Sequence, residues 1–207
     1  MENLGLIEKT KIYCKEMMEA SRCQYLPFHN WKHTKEVVEN SKTIAKGEHL
    51  PNETIEELII ASYFHDLGNS REFSNHERVS CKFAQNFLSK QGFSIHRIIH
   101  ITQIIEATQM PQNPKTITQK VICDADLTHL GKKNFLIKNL KLRKEWAAFN
   151  NQKFSDREWI FLNIDFLERH NFYTAFARKH FTTQKNENIS HRRSRFYWIS
   201  YCCRFAK

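Results

Sequence analysis

Glycine and proline are scarce in this sequence, with 5 and 4 occurrences among 207 residues. Sheets of short strands need such residues at their turns, so the scarcity argues against a β-rich fold. Leu, Ile, Lys, Glu and Gln instead recur at spacings of three and four, which is typical of helices. Sixteen phenylalanines supply side chains for a thick aromatic core. We therefore predict an all-α protein built as a single helical bundle.

The features of membrane-spanning and secreted proteins are also missing. The longest predominantly apolar run has about seven residues, far short of the roughly 20 that span a bilayer. Charges interrupt the opening "MENLGLIEKTK" within nine residues, so we expect no secretory leader. The cysteines show neither C-x-x-C spacing nor zinc-finger partners, and we expect free thiols in a cytoplasmic protein. They are Cys14, Cys23, Cys81, Cys123, Cys202 and Cys203.

Acidic residues are in deficit, since 32 Lys and Arg face 22 Asp and Glu, a formal net charge of +10. From Phe176 to Lys207 we count eight basic residues against one acidic residue, which leaves 24 against 21 elsewhere. A near-neutral body with a basic tail argues against a folded nucleic-acid binder. The tail segment "HRRSRFYWISYCCRF" would suit RNA or an anionic membrane surface, but a solvated segment is the simpler interpretation. We predict a helical domain over 1–187 and a basic aromatic tail over 188–207.

Apolar spacing and helix-ending residues divide the chain into eight or nine predicted helices, of which two or three follow residue 131. Asn30 is the expected N-cap of the second helix, which Gly47 closes, and Asn52 or Thr54 caps the third, which runs to Gly68. The other predicted helices cover 3–24, about 75–90, 94–108, 116–131, 133–150, 155–169 and 171–185.

Histidine and aspartate concentrate near the ends of these helices. The segments are "FHNWKHT" (28–34), "FHDLGN" (64–69), "NHE" (75–77) and "CDADLTHLG" (123–131). His65 and Asp66 stand side by side directly after a helical apolar run, where a charged group is costly without a partner. A divalent cation at the helix end would bind an imidazole nitrogen and a carboxylate oxygen together and neutralise the charge. The doublet therefore indicates a metal site.

Two protein ligands leave a metal under-coordinated, so further ligands must come from other helices. His33 and Asp126 are the best candidates, because each lies on a helix with apolar residues on either side of it. The predicted ligand set is His33, His65, Asp66 and Asp126. Its mixed nitrogen and oxygen donors suit Mn, Fe, Ni, Co or Zn better than a site for Mg alone.

The order of these motifs resembles the HD-domain superfamily of metal-dependent phosphohydrolases, an all-helical fold. The segments "FHNWKHTKEVV", "FHDLGNS", "NHERVS", "IIEAT" and "CDADLTHLG" are similar to a bacterial branch known as predicted HD phosphohydrolases. The resemblance covers residues 22–185. It implies that His33 is the first motif histidine, His65 and Asp66 the doublet, and Asp126 the last ligand, since Asp126 lies in an Ala-Asp-x-Leu context. For Asp124 we expect a hydrogen bond or salt bridge between helices.

The number of metal ions depends on two further histidines. HD enzymes with paired metals add two histidines between the doublet and the last aspartate, and His76 and His100 lie in that interval. We favour a single metal. His76 is then a ligand, a hydrogen-bond donor to a ligand or a phosphate contact. With both histidines as ligands, the scaffold would instead suit oxidative chemistry at two irons.

The resemblance also implies catalytic roles. Asp66 would orient the attacking water as a general base, and His29 or His76 would protonate the leaving oxygen. His29 lies one turn before His33 and would face the same cleft. Asn69 and Arg71, in the loop after the doublet, would hold a substrate phosphate, although ordinary loop polarity explains them equally well.

We therefore predict a metal-dependent phosphatase or phosphodiesterase whose small phosphorylated substrate is a nucleotide or cyclic nucleotide. One alternative is a non-catalytic regulatory HD module that binds a nucleotide. Another is an RNA-associated protein that works through its basic tail. The sequence leaves the oligomeric state and the identity of the substrate open.

Overall fold

The computed structural model describes the backbone of residues 5–205 and the side chains of residues 5–194. Every regular element in that part of the chain is a helix, which confirms the all-α prediction. The α-helices are α1 (Leu6–Glu19), α2 (Trp31–Gly47), α3 (Asn52–Phe64), α4 (His76–Lys90), α5 (Ile95–Glu106), α6 (Ile117–Leu127), α7 (Phe135–Phe149), α8 (Asp156–Arg169) and α9 (Ala175–Phe205). Short 3₁₀ turns cover Arg22–Tyr25, Leu67–Ser70 and Thr128–Gly131.

Local signals located several helix ends correctly. The Asn30 side chain accepts hydrogen bonds from the backbone amides of Lys32 and His33, as an N-cap should. Helix α2 ends at the predicted Gly47. The third helix differs from the prediction, because α3 ends at Phe64 and a separate 3₁₀ turn carries the chain to Ser70. This break lets the doublet leave the helix axis.

The chain forms two compact units, Met1–Asp126 and Leu127–Lys207. In the first unit, α3 packs against α1, α2 and α5. Apart from Ser62, its second half carries apolar or aromatic side chains on every side, and Leu58, Ile60 and Phe64 are fully buried. A helix that is apolar all round must be surrounded by other elements. Helix α3 is thus the central element of this unit, and it delivers His65 and Asp66 at its C-terminal end.

The second unit contains α7, α8 and α9. Its apolar core consists of Leu130, Phe135, Leu167, Phe172 and Ala177. Gly131 sits where a Cβ atom would lie 2.4 Å from the carbonyl oxygen of Phe181, so α9 can approach this turn only because the residue is glycine.

The C-terminal helix is longer than predicted. The prediction that the last helix ends near residue 185 is wrong, since α9 continues to Phe205. No glycine or proline interrupts residues 186–205, and Asn188 and Arg192 are buried in spite of their polarity. The predicted boundary between domain and tail at 187/188 falls inside α9 and stays a prediction.

Two further predictions, on the cysteines and on membrane-spanning helices, can be compared with the described residues. Cys14, Cys23, Cys81 and Cys123 are buried free thiols, as expected. The side chains of Cys202 and Cys203 lie outside the described residues. Among the helices of residues 5–205, none combines the length and the low charge that crossing a bilayer requires.

Candidate metal centre

The end of α3 orients the His–Asp doublet. The backbone amide of His65 still donates to the carbonyl of Ala61, while Asp66 already precedes the Leu67–Ser70 turn. The Nδ1 atom of His65 lies 2.8 Å from the carbonyl oxygen of Ser62, which can only accept a hydrogen bond. Nδ1 therefore carries a proton, and Nε2 faces the interior, where it would be the ligating atom if a metal replaced its proton.

Helix α4 is held against the doublet by Gly68 and Ser80. The backbone amide of Gly68 donates to the Ser80 hydroxyl at 2.8 Å, and that hydroxyl donates to the carbonyl of His65 at 2.8 Å. A Cβ atom at Gly68 would lie 1.9 Å from the carbonyl oxygen of His76. The glycine therefore permits the close approach that brings His76 to the doublet.

Two other helices complete the cluster. His33 lies on the first turn of α2, which Asn30 caps. Asp126 lies near the end of α6, and the Asn40 side chain on α2 donates to the neighbouring carbonyl of Ala125 at 3.1 Å. That bond fixes the end of α6 beside α2.

Four ligand-type atoms meet where these helices converge. The Nε2 atom of His33 is 3.0 Å from Asp126 Oδ1 and 3.5 Å from Asp66 Oδ2. The Nε2 atom of His65 is 3.1 Å from Asp66 Oδ2 and 3.8 Å from Asp126 Oδ1. The structure thus brings together all four predicted ligands, two imidazole nitrogens and two carboxylate oxygens. Their role as metal ligands stays a prediction.

The cluster fits a divalent cation. Bonds of about 2.0–2.2 Å to one tetrahedral ion place neighbouring ligand atoms roughly 3.3–3.6 Å apart, which lies within the observed range. His33, His65 and Asp66 each present one atom within 4.8 Å of the others. The buried His65 Nε2 and Asp66 Oδ2 have no hydrogen-bond partner. Buried polar atoms are normally satisfied, and a cation would satisfy both.

The electrostatics of the cluster favour positive charge at its centre. Burial alone would raise the pKa of Asp66, but the positive charge of His65 and His29 and a hydrogen bond from His76 hold it well below its usual range. Burial alone would lower the pKa of His65, but the charge of Asp66 outweighs it and raises the pKa to about 9. The same negative charge that holds a proton on His65 would hold a metal ion.

His29 and His76 flank the cluster on its more open side. The Nε2 atom of His76 is 3.2 Å from Asp66 Oδ1 and 3.4 Å from Glu77 Oε1, and its Nδ1 atom is 3.1 Å from the Phe73 carbonyl. Its side chain is 20% exposed, against 5% for Asp66. The His29 and His76 rings are 6.1 Å apart. Both predicted proton donors therefore lie beside Asp66, where solvent can reach His76.

The two predicted phosphate contacts lie in different surroundings. The Asn69 side chain is buried and its Nδ2 atom is 3.4 Å from Asp66 Oδ1. The Arg71 guanidinium lies over the Phe83 ring, 4.9 Å from its centre. The sequence motifs do not include Arg22, whose Nε atom donates to the carbonyl of Asn69 at 2.8 Å. No local pattern links Arg22 to a residue 47 positions away.

His100 lies apart from the four-atom cluster. The Nδ1 atom of His100 is 2.5 Å from Glu57 Oε2. Glu57 precedes His65 by eight residues, or about 12 Å along the helix, so His100 is remote from the doublet. Asp124 is fully buried and directed away from solvent. The geometry therefore disfavours His100 as a ligand, and the single metal ion stays a prediction.

Comparisons with known proteins agree with this arrangement. The HD domain family matches residues 30–131, the segment that holds all four cluster residues. No curated protein matches the chain.

Three solved structures share the fold. A predicted HD superfamily hydrolase from an uncultured Thermotogales bacterium has 20% identity and a TM-score of 0.61, covering 100% of this chain and 94% of its own. Bacillus subtilis YpgQ, solved in complex with ADP, has 15% identity and a TM-score of 0.64, covering 91% and 92%. The Lin1889 protein of Listeria innocua has 19% identity and a TM-score of 0.60, covering 90% and 95%.

Proposed function

We propose that the chain, of which residues 30–131 match the HD domain family, is a metal-dependent hydrolase of phosphate esters. The observation that carries the proposal is the pair of buried, unpartnered atoms, His65 Nε2 and Asp66 Oδ2, facing His33 and Asp126. An apolar or hydrogen-bonded core would not leave them unsatisfied. When bound there, a divalent cation acidifies water and offsets negative charge on phosphate oxygens.

The two carboxylate oxygens of Asp66 have different neighbours and would have different roles. Oδ2 faces His33 and His65 and would serve as the ligand atom. Oδ1 faces His76 and Asn69, outside the ring of ligand atoms, and would accept a hydrogen bond from the attacking water. Because the pKa of Asp66 is held low, the carboxylate is ionised and ready to accept.

Proton delivery to the leaving oxygen falls to His76 or His29. Asp66 and Glu77 outweigh the effect of burial, which acts the other way, and raise the pKa of His76. A protonated His76 is a general acid next to the nucleophile's position. Asn69 and Arg71 would contact the phosphate, and Arg22 would hold the Asn69 backbone in place.

A nucleotide is the substrate class we infer. YpgQ, which shares the fold over nine-tenths of both chains, was solved with ADP bound. The mixed N/O donor set suits Mn, Fe, Ni, Co or Zn over Mg alone. A regulatory module that binds nucleotide without turnover is the second candidate, and it would use the same four ligands.

Metal content and activity together test the function. We expect about one equivalent of transition metal in the purified chain, and its loss in His65→Ala but not in the control His96→Ala, which changes an exposed histidine. The wild type should then hydrolyse p-nitrophenyl phosphate, bis(p-nitrophenyl) phosphate or nucleoside phosphates in that metal. A protein without metal after reconstitution would overturn the proposal. Metal with tight nucleotide binding and no turnover would favour the regulatory module.

A further inference from the structure

The excess of basic over acidic residues lies in one of the two units of the protein. Residues 1–126 contain 15 Lys and Arg against 16 Asp and Glu, whereas residues 127–207 contain 17 against 6. The unit that holds the candidate metal centre is therefore nearly neutral. The basic character of the C-terminal segment is shared by α7, which has four basic residues against one acidic residue, whereas α8 has two against four. The excess of positive charge points to an anionic partner for this unit.

Helix α7 of this unit buries polar side chains and exposes aliphatic ones. It buries the polar side chains of Asn139 and Glu145, while Leu136, Ile137 and Leu140 are 40%, 62% and 48% exposed. The Asn139 Oδ1 atom accepts from the Trp159 indole at 2.8 Å, so the inward polar group is satisfied within the unit. Because soluble helices normally bury their apolar stripe, the outward aliphatic residues have a purpose other than the core.

Lysines are interleaved with these aliphatic residues. Ile137, Leu140 and Lys144 follow one another at intervals of three and four, so they lie along one side of the helix. Lys133 lies in the turn just before α7. Both lysines are exposed. Leu136 extends the same side by one position. We call Leu136, Ile137, Leu140 and Lys144, together with Lys133 in the turn before the helix, the outer face of α7.

We propose that the outer face of α7 binds the surface of an anionic phospholipid membrane. The three aliphatic side chains would enter the boundary between headgroups and acyl chains, while the two lysines pair with lipid phosphate and carboxylate groups. The helix would lie in the plane of the interface. This attachment is peripheral and independent of the proposed hydrolase activity.

Charge and chemistry disfavour the other occupants of this face. A second copy of the chain in a two-fold contact would bring the lysines of one copy close to those of the other. RNA is recognised through arginine, aromatic stacking and polar contacts, whereas the apolar residues here are aliphatic. Apolar insertion beside positive charge is instead the signature of an interfacial helix.

Sedimentation with vesicles tests the proposal on the full chain. We expect the protein to bind phosphatidylcholine vesicles that contain phosphatidylserine at least about tenfold more tightly than vesicles of phosphatidylcholine alone, and to lose binding as salt is raised. Lys133→Glu with Lys144→Glu, and separately Ile137→Asn with Leu140→Asn, should each weaken binding by at least about tenfold. Metal content should not change.

The matched control is Lys90→Glu with Ile95→Asn in the first unit, where Ile95 is also 62% exposed. The control should bind vesicles like the wild type. Circular dichroism verifies that each variant is folded. Equal binding by wild type and the α7 variants would overturn the proposal. So would the absence of vesicle binding together with α7-dependent dimerisation in light scattering, or with α7-dependent binding of a fluorescent RNA.

Discussion

Asp66 illustrates how one side chain acquires two tasks from its neighbours. Its Oδ2 atom lies 3.1 Å from His65 Nε2 and 3.5 Å from His33 Nε2, while its Oδ1 atom lies 3.2 Å from His76 Nε2. These neighbours come from α2, the end of α3 and α4. A substitution at this residue therefore affects metal binding and proton transfer together.

Asp66→Asn should abolish activity while leaving the fold intact, because the amide has the shape of the carboxylate but not its charge. We expect metal affinity to fall by at least about 100-fold, since even groups that only orient a ligand contribute about 10- to 100-fold. Calorimetric titration of the metal-free protein with Mn²⁺ measures this. Asp156→Asn, at an exposed carboxylate on α8, should bind metal like the wild type. Unchanged affinity in Asp66→Asn would contradict its role as a ligand.

The buried His170 is expected to make the free energy of unfolding depend on pH. Its ring lies between Phe166 and Phe172, both of its nitrogens are buried without hydrogen-bond partners, and burial together with the charge of Lys185 lowers its pKa to about 4. The unfolded chain binds a proton near the ordinary value of 6.5, whereas the folded state resists it. Stability contributed by neutral His170 is thus present above about pH 6.5 and lost as the pH falls toward 4.

Urea unfolding at several pH values measures the effect of His170. Between pH 6 and 4.5 the wild type should lose up to about 1.4 kcal/mol per pH unit from this group. His170→Phe keeps a ring but cannot titrate, so its stability should fall less steeply over the same interval. His180→Phe, at an exposed position on α9, is the control. Parallel curves for the wild type and His170→Phe would contradict the assignment.

At the scale of elements, the candidate site depends on how closely α4 approaches the end of α3. Ser80 bridges the two through its hydroxyl, which donates to the His65 carbonyl and accepts from the Gly68 amide. The turn that contains Gly68 has no room for a side chain. The doublet is therefore oriented by packing between elements as well as by its own helix.

Gly68→Ala should destabilise the protein and disturb the metal centre. Its Cβ atom would lie 1.9 Å from backbone oxygen, which cannot move without shifting α4. Overpacking of this kind costs about 1–3 kcal/mol or more. Thermal unfolding and metal content measure the two effects. Gly5→Ala, where nothing lies within 4 Å of the new Cβ, should cost at most about 1 kcal/mol and keep the metal.

Within the second unit, Asn188 anchors helix α9 to the backbone around Gly131. Its Nδ2 atom donates to the carbonyls of Leu130 at 2.8 Å and Lys132 at 3.2 Å. Asn188→Ala leaves both carbonyls without this donor and should reduce the free energy of unfolding by about 1–3 kcal/mol. Urea unfolding measures it, with the exposed Asn186→Ala as the matched control. If the two variants are equally stable, Asn188 does not anchor the helix.

At the scale of the whole molecule, chemistry and charge are divided between the two units. All four predicted ligands lie within Met1–Asp126, while the excess of basic residues lies within Leu127–Lys207. The count along the sequence located the excess charge in residues 176–207 alone. The division of the structure shows that α7 shares in it while α8 does not, and the proposal for the outer face of α7 follows from that division.

Much of this protein was determined by its sequence alone. Helical periodicity predicted the all-α fold, Asn30 predicted the start of α2, and the order of His33, His65, Asp66 and Asp126 predicted residues that the structure brings together. The helices and the Asn30 cap depend on residues a few positions apart, and the His and Asp residues belong to short motifs near helix ends. Local spacing therefore encodes them.

Only the tertiary structure decided the contact of Arg22 with Asn69, the pairing of His100 with Glu57, the length of α9 and the outward aliphatic face of α7. Each depends on residues that are distant in sequence, such as the 58 positions between Leu130 and Asn188. A polar residue such as Asn188 or Asn139 reads as exposed until a distant partner satisfies its hydrogen bonds. Burial is a property of the packed chain, so it is settled only when the elements meet.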